Sequence, residues 1–64
     1  MNELVVFLEG GQWIYFPTPQ ERVDKAFQEF NESCDSAGFI MDNVHITEVT
    51  LRDENCDDID SIKF

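Results

Sequence analysis

Fourteen Asp and Glu against four Lys and Arg give this 64-residue chain a formal net charge of −10, beyond the magnitude of roughly 2 to 8 that keeps a small domain soluble. Direct binding to nucleic acid or to an anionic membrane is disfavoured by such a charge, and a basic partner is favoured. At this length only about 60% of the unfolded surface can be buried, so the chain is a single acidic domain, residues 1–64, with one small core. Its 42% hydrophobic content argues against disorder of the whole.

In chain order, Leu4 to Leu8 is a short apolar run rich in β-branched residues, separated by Glu9-Gly10-Gly11-Gln12 from a second run, Trp13 to Phe16. Two such runs around a Gly-Gly turn predict a β-hairpin, because the glycines accept the positive φ of tight turns. Pro17 is expected to stop the second strand, having no amide to give the ladder. Thr18-Pro19-Gln20-Glu21 reads as a capping box, with Thr18 as N-cap, Pro19 in the first turn and Glu21 three residues after the cap. Val23, Ala26, Phe27, Phe30 and Cys34 then recur at helical spacing, and Gly38 is a natural terminator. A helix is predicted from about Pro19 to about Ala37, with Phe27 and Phe30 packed on the hairpin.

Phe39 to Leu51 reads as strand, but its alternation changes phase near Glu48. Val44 and Ile46 share one face and Val49 and Leu51 the other, as a bulge or two separate strands would produce. Asp42-Asn43 can mark a turn that splits off Phe39 to Met41. Ile62 to Phe64 can add a short edge strand. The expected fold class is α+β: a small antiparallel sheet of three or four strands packed against one helix, in the order ββαβ(β).

Little in the chain resembles catalytic machinery, and no enzyme activity or cofactor is expected. His45 is the one histidine, placed on the strand face opposite Val44 and Ile46, and no Ser or Cys stands at a partner's spacing. His45, Cys34 and Cys56 are too few for a zinc site. A calcium loop laid from Asp53 through Asn55, Asp57 and Ser61 has Asp58 where Gly belongs and Phe64 where a bidentate Glu belongs, so no metal site is expected. Most aromatics are needed as core, with Tyr15 the one most readily placed outside. The first residues lack the basic region and cleavage site of a signal peptide, and the apolar run at Leu4 to Leu8 is too short to span a bilayer. These features predict a soluble, cytoplasmic protein with reduced thiols; they do not fix the oligomeric state, for which a monomer is favoured.

The carboxylates fall into two groups. Glu21, Asp24, Glu32 and Asp35, with Gln28 between, follow three-and-four spacing and form a stripe away from Val23, Phe27 and Phe30. Lys25 lies four residues after Glu21, and Arg22 and Lys25 lie seven and four before Glu29, so part of the helix charge is expected to be paired locally. Asp53, Glu54, Asp57, Asp58 and Asp60 form the second group. A compact domain of this length has a radius of gyration of about 11 Å and a diameter of roughly 28 Å. Duplex DNA of that length carries about 16 phosphate charges. A net charge of −10 is a substantial fraction of that.

In size, acidity and compact α/β pattern, the chain resembles the small phage-encoded anti-CRISPR proteins that act as DNA mimics. The resemblance implies an inhibitor in the host bacterial cytoplasm. It would bind the DNA-recognising subunit of a CRISPR effector on a basic surface, where duplex or PAM is read, and so evade host defence by blocking target DNA. The nine carboxylates named above are the expected partner-binding residues. The alternative is an acidic adaptor or regulatory module that binds a host protein through a strand edge and an aromatic patch.

Overall fold

The structure, a computed structural model, describes residues 1–34 and 45–64, with the backbone only at Cys34. Its elements are β1 (Asn2–Leu8), β2 (Trp13–Thr18), α1 (Val23–Cys34), β3 (Ile46–Arg52) and β4 (Asp58–Lys63). All described strand pairings are antiparallel, in the order β2-β1-β3-β4, so β2 and β4 are the edges of the described sheet. The α+β class and the strand-strand-helix-strand-strand order agree with the sequence reading. The radius of gyration is 11.1 Å.

One face of the sheet carries the core. Leu4, Val6 and Leu8 of β1 and Val49 and Leu51 of β3 bury against Val23, Ala26 and Phe30 of α1. Phe30 meets Phe16 edge-on at 5.5 Å between ring centres and lies nearly parallel to Phe27 at 6.4 Å. Such aromatic contacts add to the stabilisation from area burial. The change of phase near Glu48 is a register shift between β1 and β3. Phe7 pairs with Glu48 but Leu8 pairs with Ile46, which leaves Thr47 as the extra residue. The insertion turns Ile46 back towards the core that Val49 and Leu51 enter, so one strand accommodates both phases.

Gly10 and Gly11 both have positive φ, 95° and 85°, and Leu8 N–H donates to Gln12 C=O at 2.7 Å to close the hairpin. That bond fixes the phase of the ladder. Leu8 and every second residue before it turn their amides to β2, so Trp13, Tyr15 and Pro17 turn their main-chain groups outward.

Two expectations are corrected. Pro17 does not end β2; it lies inside the strand opposite Glu3, because on an outward-facing position of an edge its missing amide costs no ladder bond. The helix begins at Val23, not Pro19. Thr18 is drawn into β2 opposite Asn2 and fully buried, an extended conformation that Pro19 favours in the residue before it. Its hydroxyl accepts from Gln20 N–H at 3.1 Å, and Asn2 Nδ2 donates to Gln20 C=O at 2.7 Å. The groups that a capping box needs are thus committed to the strand end, and Glu21 precedes the helix. The predicted helix end at Ala37 and Gly38, and the readings placed on Phe39 to Val44, lie outside the described residues.

Candidate functional site: an acidic edge

β4 is an acidic edge strand, DIDSIK, joined to β3 by a turn whose geometry depends on Asp53. Asp53 Oδ1 accepts Asn55 N–H at 2.8 Å and Asp57 N–H at 3.0 Å, while Asp53 N–H donates to Asp57 C=O at 3.0 Å. This is an Asx-type turn in which the carboxylate substitutes for a backbone acceptor. Ser61, the proposed ninth ligand of a calcium loop, is instead in β4 opposite Thr50. Among the described residues no three His, Cys, Asp or Glu gather as a metal site would require. Cys56 closes the turn with a φ of 66°, the only non-glycine described with positive φ. A side chain in that conformation costs about 1–2 kcal/mol. Cys56→Gly is therefore expected to stabilise the fold by up to about 1 kcal/mol, after allowing for the larger entropy of unfolded glycine. Urea denaturation followed by circular dichroism measures it.

The two acidic groups meet along one side of the molecule. Phe27 packs on Phe64, just past β4, at 5.4 Å between ring centres. The helix flank beside Phe27 therefore faces the β4 edge. That flank carries Asp24, Gln28, Asn31 and Glu32, which with Phe27 line a shallow open concavity. Asp60 lies opposite Leu51, a core residue, and so projects from β4 on the helix side. Asp24, Glu32 and Asp60 thus share a side.

Glu21, Asp53, Glu54 and Asp57 adjoin it at one end of the sheet. Both the β2–α1 connection and the β3–β4 turn leave from that end, where Asn2 pairs with Thr18 and Glu3 with Arg52. Asp58 is not with them. It pairs with Arg52 across the helix-free face, Nε to Oδ1 3.2 Å. Asp35 lies outside the described residues.

Local pairing sorts these carboxylates further. Arg22 holds Asp24 at 3.2 Å, and both side chains are exposed, a contact worth about 0–1 kcal/mol and readily exchanged for a partner's cation. The expected neutralisation of Glu21 by Lys25 does not occur on the helix, since Glu21 precedes it, and Glu29 accepts from Gln20 Nε2 at 2.9 Å. Glu54 forms an ion pair with the Met1 ammonium. That hydrogen bond and charge hold the Glu54 carboxyl below its ordinary range, outweighing the opposing effects of desolvation and of Asp53. A carboxyl lowered by folding stabilises the fold above its unfolded pKa, and the contribution is lost as pH falls through the folded value. Acetylating Met1 is expected to return the Glu54 midpoint to the ordinary glutamate range, as followed by carbon-detected NMR titration.

The second exposed feature is only partly expected from the sequence, which places Tyr15 outside but not Trp13. Trp13 and Tyr15 are 54% and 52% exposed and stand on the sheet face away from the helix, Tyr15 opposite the buried Val5 and Trp13 opposite Phe7. Trp13 is not among the core aromatics. The signal was present in the alternation of Trp13-Ile14-Tyr15-Phe16, which sends Ile14 and Phe16 to the core and the other two outward. His45 is exposed, and among the described residues no helix is long and apolar enough to cross a membrane.

Comparison with protein families, with curated proteins and with solved structures finds no match for this chain.

Proposed function

We propose that this protein is a small acidic inhibitor that occupies a basic nucleic-acid-binding surface by DNA mimicry and blocks target DNA. The DNA-recognising subunit of a CRISPR effector is the target to which its resemblance to anti-CRISPR proteins points. The observation that carries the reading is the convergence of Asp24, Glu32 and Asp60 on one side with Glu21, Asp53, Glu54 and Asp57 at the adjoining end. The molecule is 31 Å long, a length of duplex that carries about 18 phosphate charges at one per ~1.7 Å. Lysines and arginines arranged for that density meet carboxylates on a body of similar length, and the same field draws the two together from a distance. The concavity beside Phe27 gives the rim of charge an apolar floor.

Salt dependence tests this. Affinity for a DNA-recognising effector subunit, measured by biolayer interferometry, is expected to fall steadily as sodium chloride is raised. An affinity indifferent to salt would reject mimicry. It would favour the adaptor reading, which has its own support in the half-exposed Trp13 and Tyr15 beside the β2 edge.

A further inference from the structure

Of the four described strands, β2 alone has no charged side chain, reading WIYFPT, and it is an edge of the described sheet. Edge strands normally carry charges, bulges or proline to prevent pairing with other chains. β4 shows two of these devices, since it has Asp58, Asp60 and Lys63 and a register shift that leaves Ile59 without a partner. β2 shows only Pro17. The outward phase of the hairpin leaves the N–H and C=O of both Trp13 and Tyr15 facing away from β1. Among the described residues nothing bonds to them.

We propose that this edge pairs with the β2 edge of a second copy of the chain, antiparallel about a twofold axis at Ile14. The edge is self-complementary in that arrangement. Trp13 of one copy faces Tyr15 of the other, each donates to and accepts from its opposite, and about four main-chain hydrogen bonds form without needing the amide that Pro17 lacks. On the helix-free face each Trp13 meets a Tyr15 of the second copy as a cross-strand aromatic pair. On the other face Ile14 meets Ile14. The result is one continuous eight-stranded sheet with the two acidic β4 edges at its far ends.

A second copy fits this edge because the charge of each lies elsewhere. Four strand spacings of ~4.8 Å set the centres roughly 19 Å apart. That exceeds the Debye length of about 8 Å at physiological ionic strength and is shorter than the ~30 Å at very low salt. The repulsion between the two copies is therefore screened under physiological conditions and acts at low salt. Salt strengthens this association, whereas it weakens binding to a basic target, so the dimer and the proposed function fail independently.

The test is multi-angle light scattering from micromolar to millimolar concentration, at low and at physiological salt, with Tyr15→Pro alongside. Tyr15→Pro removes an outward amide that the monomer does not use, and its circular dichroism is expected to match the parent. The wild type is expected to approach twice the monomer mass as concentration and salt rise, and Tyr15→Pro to remain monomeric. Should Tyr15→Pro fail to fold, Tyr15→Glu sets carboxylates beside the twofold without touching the backbone, and it too is expected to be monomeric. A wild type that stays monomeric throughout would overturn the proposal. So would a dimer that survives the substitution, or protection from exchange of the Trp13 and Tyr15 amides in a monomer.

Discussion

Asp57→Lys combined with Asp60→Lys is expected to weaken binding to a basic DNA-recognising target by at least about tenfold, roughly 1.4 kcal/mol, and to abolish inhibition at physiological salt. Each reversal adds two charges, so the net charge moves from −10 to −6. The residues nevertheless contribute little to the fold. Asp57 and Asp60 are exposed, and the one side-chain hydrogen bond described for either, from Ser61 N–H to Asp60 Oδ1, is at the surface. The unfolding midpoint should therefore barely change while binding collapses. Glu9→Lys, exposed in the β1–β2 turn at the opposite end of the sheet, provides the comparison. If location matters as well as total charge, Glu9→Lys should lose far less than half of what the double reversal loses on a logarithmic scale. Equal loss per charge would mean that only the overall field steers binding.

Phe30→Ala is expected to remove a large part of the stability of the fold. Phe30 is 1% exposed and is the largest of the fully buried side chains. Its removal leaves a cavity between α1 and the sheet and strips Phe16 and Phe27 of their ring contacts. Such truncations cost about 3–5 kcal/mol. A 64-residue domain has roughly 3–10 kcal/mol in total, at about 0.05–0.15 kcal/mol per residue. Phe27→Ala, at a partly buried position on the same helix, should cost clearly less. Far-UV circular dichroism in a urea series separates the two. A Phe30→Ala protein as stable as the parent would contradict the packing described.

Periodicity carried the hairpin, the amphipathic helix and the change of phase in β3, because each follows from where apolar side chains must point. The helix start was not legible, since Thr18-Pro19-Gln20-Glu21 satisfies the local pattern of a cap. What overrides it is tertiary: Thr18 pairs with Asn2, and Asn2 captures the Gln20 carbonyl. Pro17 misled for a related reason, because its tolerance depends on β2 being an edge with that residue facing outward, and both are properties of the assembled sheet. Nor could spacing along the chain show that Asp58 would project to the face opposite Asp60. A register shift at Ile59 and the pull of Arg52 decide that. The meeting of the helix flank with β4 depends on Phe64, whose packing on Phe27 joins residues 37 positions apart.

The central claim is that this acidic surface occupies the place of DNA, and a competition titration tests it most directly. A DNA-recognising effector subunit bound to labelled duplex is titrated with the protein, and fluorescence anisotropy reports release of the duplex. Complete, mutually exclusive displacement is expected, and Asp57→Lys with Asp60→Lys should not produce it. A ternary complex, with the protein bound and the duplex still in place, would contradict it.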